Sequence, residues 1–469
     1  MKESKIAIIG GGPGGYIAAI RAAQLGASVI LIEKEKLGGV CLHQGCIPTK
    51  ALARGVRLLQ LAEKTKEYGI SVAKNGFDFA KMQSQKNRVV ASLAKGLSQL
   101  MTANKIEVIN GVGRLGSANE IEIEIQDGAE RVKAEKVILA PGSVPLLPQI
   151  SGGDEPGILT SNDIIQLSEV PGSLLIIGGG VIGVEFATIF TGLGTKVTLI
   201  EKEPYLVPGE DNEISVTLKR TLENMGIAVF TACQVTSISG NFGKQKTVVL
   251  QTANEAKSLV VQLVMGTTGR KPNIDNLGLN EVGVATRKDG IVVNESMETN
   301  IPGVYAVGDA VGGRMLAHVA SREGIVAAEN AIGRRAVMDY MAVPRCIYSS
   351  PEIAAVGMNE NEARAHGYEP AIGRFPLTAN GMGLILGEGG FIKVIADAQK
   401  GKVLGAHILA PHASELIGEA TLAMKLGASI KDISDTIHAH PTLSEGLLEA
   451  VLDVSGEALN IMPKRRKIT

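Results

Sequence analysis

The chain opens on an unbroken apolar run, Ile6-Ala7-Ile8-Ile9, that ends in glycines. A helix-period stretch follows, then Gly26, then a second apolar run, Val29-Ile30-Leu31-Ile32, closed by the acid Glu33. A four-residue run with no polar face predicts a strand covered on both sides, and the run–turn–helix–run order predicts a βαβ unit with parallel strands. The pattern then returns. Lys5 to Glu35 and Ser173 to Glu203 align without a gap, so that Gly10, Gly12, Gly15, Gly26 and Glu33 recur as Gly178, Gly180, Gly183, Gly194 and Glu201.

Each copy carries G-x-G-x-x-G between strand and helix and an acid at the end of the second strand, which is the dinucleotide-binding fingerprint. The first glycine makes the tight turn, the second lets the backbone approach a pyrophosphate, and the third lets helix and strand close up. The helix N-terminus then offers N–H groups and a positive dipole end to the phosphates. Glu33 and Glu201 are expected to accept hydrogen bonds from a ribose. A carboxylate at Glu201 repels a 2′-phosphate, which favours NAD over NADP at the second site. Lys202, beside it, reads as a solvated lysine.

Elsewhere the pattern is coarser. Residues 51–104 have helical period, with Leu58, Leu59, Leu61, Leu93, Leu97 and Leu100 as expected core positions. Ile106 to Val132 alternates like strands. Val137 to Ala140 is an apolar strand ending at Pro141-Gly142-Ser143, and 141–157 reads as a linker. Val304 to Val307 predicts another strand, followed by a helical run from His318. Beyond Ala342–Pro344 the pattern changes to short strands (353–357, 391–395, 403–408) and helices (412–427, 443–452) with no third fingerprint. That part is expected to serve as an interface or substrate domain.

Composition narrows the classes. At 469 residues the chain is too long for one core. A net charge of −1 argues against nucleic acid or an anionic membrane as a main partner. No apolar run reaches the ~20 residues of a membrane span. The short stretch Met1 to Lys5 leaves no room for a signal peptide, and a cytoplasmic protein is expected. Four cysteines (Cys41, Cys46, Cys233, Cys346) are too few for a disulfide framework in 469 residues.

Two of those cysteines stand just after the first fingerprint, in Gly38-Gly39-Val40-Cys41-Leu42-His43-Gln44-Gly45-Cys46-Ile47-Pro48-Thr49-Lys50. A thiol pair beside a bound dinucleotide suggests electrons passing between a disulfide and a cofactor. Residues five apart in a straight helix are separated by about 7.5 Å along the axis. A disulfide needs Cα atoms about 4.4–6.8 Å apart. Bridging therefore requires a distorted backbone, with Gly45 as the expected hinge, and a bond closed under strain is more easily reduced. A zinc site or two unrelated buried thiols are the other readings. The missing second cysteine pair disfavours zinc, and no metal site is expected.

The motifs GGGPGG, GGVCLHQGCIPTK, GGGVIGVEFA, TGRKPN, YAVGDA, MLAHVASREG, PEIAAVG and HAHPTLSE, in this order, resemble the flavoprotein disulfide reductases, and among them the dihydrolipoamide dehydrogenases, over essentially the whole chain. The resemblance implies an α/β fold of two Rossmann-like dinucleotide-binding domains plus a C-terminal α+β dimerisation domain. Its divisions are 1–149 (first part of the FAD-binding domain), 150–272 (NAD-binding), 273–343 (central, completing the FAD site) and 344–469 (interface). It implies FAD at Gly10, Gly12, Gly15 and Glu33 and NAD at Gly178, Gly180, Gly183 and Glu201.

By the same resemblance Cys41 and Cys46 form the redox disulfide, Cys41 exchanging with substrate and Cys46 lying against the flavin as the charge-transfer thiolate. Asp309 binds the ribityl chain. The helix entered through Met315, Leu316, Ala317 and His318 points its N-terminus at the flavin, where positive potential suits a reduced ring. Lys50 and Glu185 pair near the hydride-accepting nitrogen. Gly113, Gly142 and Ser143 line FAD, and Val235 and Gly269 line NAD. His440 is the base and Glu445 its orienting carboxylate, because a thiol with pKa about 8.5 needs an acceptor such as an imidazole near 6.5. His438, His43, His318, His366, His407 and His412 read as packed or solvated histidines rather than catalysts.

The implied reaction is oxidation of dihydrolipoamide, carried on a lipoyl protein or complex because no lipoyl domain precedes residue 5, by a homodimer. Glutathione-type and mercuric reductases are the rival enzymes on this scaffold, and a non-catalytic docking subunit is the rival of another class. The chain departs from the family pattern at Pro141, at Thr49, and at Gly381-Met382-Gly383, where many relatives carry an Arg-Ala pair.

Overall fold

The apolar runs of the first repeat lie side by side at the centre of a sheet. In the computed structural model, which describes residues 1–72, 76–153, 157–240, 245–252 and 255–462, strand Lys2–Ile9 pairs in parallel with Val29–Glu33 and with Gly128–Leu139. Glu107–Asn110 extends the sheet beyond Val29–Glu33, and Val304–Ala306 runs parallel to the end of Gly128–Leu139. The start of that long strand pairs instead with Glu120–Ile125, which pairs with Val112–Ser117, both antiparallel. The alternation Ile121-Glu122-Ile123-Glu124 sends the isoleucines into a core shared with Ile9, Ile32, Leu115 and Val137. The basic stretch 464–467 and the middle of the expected linker lie outside the described residues.

These elements belong to one of two compact units, formed by Met1–Pro171, Ile238–Lys246 and Gln262–Asp339; the other comprises Gly172–Ser237, Thr247–Val261 and Tyr340–Thr469. Within the first, helix Pro13–Gln24 lies against helix Ala317–Ala331 at a contact that excludes side chains. A Cβ at Gly324 would sit 2.3 Å from the Gly14 carbonyl oxygen. Helix Cys46–Lys64 buries the stripe Pro48, Thr49, Leu52 and Val56.

The leucines expected in the core fare unevenly. Leu97 is buried, but Leu58, Leu61, Leu93 and Leu100 are 41–51% exposed. Leu58 and Leu61 fall off the 3.6-residue stripe that runs through Leu52 and Val56, and helix Phe79–Ala103 turns mainly Phe79, Lys86, Leu97 and Met101 inward. Lys86 is a polar residue in this buried set. Its ammonium donates to the Ile165 carbonyl at 2.8 Å, and burial pushes its pKa down. The helical stretch predicted over 51–104 is interrupted after the short turn Thr65–Tyr68.

In the second unit, strands Ser173–Ile177, Lys196–Ile200 and Ala228–Phe230 repeat the parallel order, with helix Val181–Gly192 between the first two. The C-terminal part is a five-stranded antiparallel sheet in the order Arg345–Ile347, Glu352–Gly357, Val403–Ala410, Phe391–Asp397, Pro370–Pro376. Its edge strands Arg345–Ile347 and Pro370–Pro376 carry no signal in the sequence pattern, since prolines and arginines interrupt their apolar positions.

Alternation sorts the faces of that sheet. Ile392, Val394, Ala406 and Ile408 share a core with Ile417, Leu447 and Val451 of helices Ala413–Leu426 and Glu445–Val454. The intervening positions place Arg345, His407, Lys393 and Arg374 in one row across the strands. Three carboxylates at the start of helix Asn212–Asn224 meet this row. Arg345 Nε donates to Glu210 Oε1 at 2.8 Å, Lys393 Nζ to Asp211 Oδ2 at 2.9 Å, and Arg374 pairs with Glu213. Lys393 and Asp211 are both buried. His407 is fully buried, its Nε2 meets the Met358 carbonyl at 3.0 Å, and burial pushes its pKa down. Among the described residues no helix is long and apolar enough to cross a membrane.

The helix crossing yields a first test. Gly324→Ala drives a methyl group into the Gly14 backbone and is expected to cost about 1–3 kcal/mol. Its denaturant midpoint should fall below wild type; an unchanged midpoint would show that the two helices separate without cost.

Candidate active site

The two fingerprint turns share their hydrogen bonding. Gly11 N–H donates to Glu33 Oε2 at 2.6 Å and Glu35 N–H to Oε1 at 2.8 Å; Gly179 and Glu203 do the same to Glu201 at 2.6 and 2.8 Å. Both carboxylates are buried. A carboxylate has about four lone-pair sites, so each keeps acceptor capacity for a ribose. Gly15 holds the helix to the strand, since a Cβ there would lie 1.8 Å from the Gly10 carbonyl oxygen. A Cβ at Gly12 or Gly180 would meet nothing within 4 Å, so space remains beside each turn where a pyrophosphate would lie. Helices Pro13–Gln24 and Val181–Gly192 start without a side-chain cap, leaving first-turn N–H groups for phosphate oxygens. These residues fit two dinucleotides.

The thiol segment is seated directly on the first turn. Gly38 N–H donates to the Gly11 carbonyl at 2.8 Å, and a Cβ at Gly39 would come within 2.8 Å of Gly12 Cα. Helix Gly39–His43 carries Cys41 and helix Cys46–Lys64 starts with Cys46. Between them the backbone leaves the helical well at Gln44 and at Gly45, where φ is −133° and ψ −106°. The distortion that bridging requires is therefore present, at the expected residue. The two side chains are neighbours, with the Cys41 thiol hydrogen-bonded to Cys46. That bond and burial hold the Cys41 thiol well above the usual range, while the Lys50 ammonium pulls it down.

Around the strand ends of the same unit, Ser143 Oγ donates to Asp309 Oδ2. Arg270 brackets Ser143, with Nε donating to its Oγ at 2.8 Å and Nη2 to its carbonyl at 2.8 Å. Burial lowers the Arg270 pKa, opposed by the charges of Asp309 and Cys46. Gly308 N–H donates to the buried Glu323 at 2.7 Å. Arg270 and Glu323 were not singled out by the sequence reading, although both stand inside motifs it used. Helix Ala317–Ala331 is entered through Met315 and Leu316 without a side-chain cap, with His318 exposed in its first turn. Gly142 has φ of 74°, and Asn273 N–H donates to its carbonyl at 2.9 Å. Gly113 turns its α-hydrogen side toward Ile32 and Ile9, so only its backbone is available to a ligand. Gly269 also lies in this unit, its carbonyl accepting from Leu146 N–H at 3.0 Å.

The second unit carries the remaining residues. Val235 is buried in strand Gln234–Ser239, and Cys233 N–H ties the start of that strand to the Glu201 carbonyl at 3.0 Å. Glu185 is buried on helix Val181–Gly192, and its Oε1 accepts from Tyr348 N–H at 3.0 Å. Lys202 is exposed and lies 3.7 Å from Glu203. The two histidines of the HAHPTLSE motif differ sharply. The His438 side chain is 5% exposed, with its ring nitrogens held by the Thr436 carbonyl and by Glu419. The His440 side chain is 79% exposed, and its Nδ1 meets Glu445 Oε1 at 2.7 Å. Glu445 opens helix Glu445–Val454 and also accepts from Thr442 N–H at 2.7 Å; its hydrogen bond to His440 holds its carboxyl below the usual range. With Nδ1–H donated to Glu445, Nε2 carries the lone pair that takes a proton. Among the described residues no cluster of three or more His, Cys, Asp or Glu could hold a metal.

The influence of Lys50 on Cys41 is open to measurement. Lys50→Ala should raise the Cys41 pKa further, so that alkylation of Cys41 by iodoacetamide near about pH 8 slows several-fold in reduced protein, because only the thiolate reacts. An unchanged or faster rate, followed by mass spectrometry, would remove Lys50 from the electrostatics of the pair.

The geometry has counterparts among known proteins. Residues 4–324 match the model of the pyridine nucleotide-disulphide oxidoreductases, and residues 343–451 match the dimerisation domain of that family. A dihydrolipoyl dehydrogenase of Bacillus subtilis (strain 168) is 41% identical over 98% of this chain and 99% of its own length. One from Thermus scotoductus is 41% identical over 98% of this chain and the whole of its own. Among solved structures, the Cu(II) complex of the HOCl-induced flavoprotein disulfide reductase RclA from Escherichia coli superposes with a TM-score of 0.86 at 27% identity, covering 96% of this chain and 99% of that one. The chain belongs to the pyridine nucleotide-disulphide oxidoreductase family.

Proposed function

We propose that this chain reoxidises dihydrolipoyl groups presented by a lipoyl protein or complex and reduces NAD, acting as a cytoplasmic homodimer. The observation that carries the reading is the thiol pair in mutual contact across a helix break, seated on a dinucleotide turn. The 41% identity to dihydrolipoyl dehydrogenases supports the choice of substrate. In this reading 1–149 and 273–343 build the FAD site, 150–272 the NAD site and 344–469 the interface.

Gly10, Gly12, Gly15 and Glu33 would hold the FAD pyrophosphate and ribose, with Asp309, Ser143 and the helix start at Met315–His318 along the rest of the molecule. Gly178, Gly180, Gly183 and Glu201 would hold NAD. Bound FAD supplies a two-electron acceptor that takes electrons from a dithiol and passes a hydride to NAD. The chain's own chemistry is thiol–disulfide exchange. A substrate thiolate attacks Cys41 of the Cys41–Cys46 disulfide, the S–S bond breaks, and Cys46 leaves as a thiolate. His440 Nε2 takes the proton of the second substrate thiol, Glu445 stabilising the cation that forms. That second sulfur attacks the mixed disulfide and releases Cys41. The substrate leaves as a cyclic disulfide, and its two electrons now reside on the Cys41 and Cys46 sulfurs.

Purified protein assayed anaerobically with dihydrolipoamide should reduce NAD, and do so faster than NADP at equal concentration because Glu201 repels a 2′-phosphate. No turnover with dihydrolipoamide ends the substrate assignment, and faster NADP reduction ends the cofactor assignment.

His440 and Cys41 belong to different units, and in the dimer of this reading the base serves the partner's thiols. Mixing Cys41→Ser with His440→Gln subunits under exchange conditions should restore activity, since each hybrid dimer holds one intact pair. Activity that stays at parental levels despite proven exchange places base and thiols in one chain.

A further inference from the structure

The loop bearing the base runs from His440 to Ser444, directly before the helix that starts at Glu445, and its middle residue, Thr442, is clamped from both sides. Thr442 N–H donates to Glu445 Oε2 at 2.7 Å, and its hydroxyl donates to the Ala439 carbonyl at 2.7 Å. The Thr442 carbonyl accepts from Asn380 Nδ2 at 3.0 Å. Asn380 stands 62 residues earlier, in the turn before the short helix Gly381–Leu386, and is 5% exposed. Its Oδ1 accepts from Gly383 N–H at 2.8 Å. The amide is thus fixed at both ends. Gly383 in turn is held close to the Leu377 turn, since a Cβ there would come within 2.4 Å of the Leu377 carbonyl oxygen.

We propose that Asn380 is a positioning residue for the base. It acts through the backbone of Thr442, whose carbonyl it engages while the N–H of the same residue orients Glu445, and Glu445 orients the His440 ring. The Asn380 bond fixes the backbone on the C-terminal side of Thr442, and with it the place and direction of the N–H that Glu445 accepts. Losing it leaves the Thr442 carbonyl without this donor, and the Glu445 carboxylate gains freedom to leave Nδ1. The glycines that replace the family's Arg-Ala pair follow Asn380 directly and leave its amide in place. The inference rests on the assignment of His440 as the base.

Asn380→Ser keeps a capping oxygen for the short helix but is too short to reach Thr442, and Asn380→Asp keeps the length and the cap but lacks the donor. Two activities are compared in each FAD-loaded variant. One is oxidation of dihydrolipoamide by NAD, which needs the base; the other is reduction of ferricyanide by NADH, which does not. Dihydrolipoamide turnover should fall roughly tenfold or more, a fraction of what a general base contributes, with the KM for NAD and the ferricyanide rate unchanged. Combined with Glu445→Gln, Asn380→Ser should bring no further loss, because both act on one histidine. Wild-type turnover in both variants, equal loss of the two activities, or losses that multiply in the double variant would each overturn the proposal. An inactive wild type with dihydrolipoamide would instead overturn the assigned reaction, which separates the two failures.

Discussion

A buried carboxylate at the end of the second strand, held by two backbone N–H groups, fixes the geometry of each half of this chain. In both repeats the carboxylate accepts from the middle glycine of the turn and from the residue two positions beyond itself. Those bonds lock the turn to the neighbouring strand. They set where the helix N-terminus points and leave the far side of the carboxylate for a ribose. A buried carboxylate without such donors would be costly, so the acid serves the fold in its own right.

From that shared frame the two copies diverge over a few residues. In each, a backbone N–H just past the acid returns to the turn: Gly38 to the Gly11 carbonyl and Val207 to the Gly179 carbonyl, both at 2.8 Å. In the first copy the chain then enters the helix bearing Cys41. In the second it reaches Glu210, Asp211 and Glu213, whose partners lie on the C-terminal sheet. One backbone device thus delivers a redox pair in one place and a set of structural ion pairs in the other.

The sequence displayed the parts of this arrangement that are local. The glycine spacings, the acids and the need for a break at Gly45 were all legible, because each depends on residues within about 30 positions of one another, the span of a βαβ unit. Family likeness alone told His440 from His438; that one ring is buried and the other exposed depends on the packing around them, which spacing does not display. What the sequence concealed depends on chain-distant contacts. Arg270 reaches Ser143 across 127 positions and Asn380 reaches Thr442 across 62. Periodicity marked Leu58, Leu61, Leu93 and Leu100 as apolar but carries no information about what, if anything, covers them. Nothing in the sequence pattern marks Lys86 and Lys393 as buried, and only the carbonyl and carboxylate they meet explain their burial.

The basic row on the C-terminal sheet also bears on how this protein could be recombined. The junction near residue 343 resembles a module boundary, with a matched domain on either side. Yet Glu210 and Asp211 lie before it, and Arg345 and Lys393 after it. Exchanging the C-terminal domain for a relative's with a different row would strand charged groups in a low-dielectric setting, where removing one partner of a buried pair costs about 3–5 kcal/mol. A workable chimera must therefore carry the segment 210–213 together with the sheet, so that inheritance of the dimerisation domain brings part of the nucleotide-binding repeat along with it.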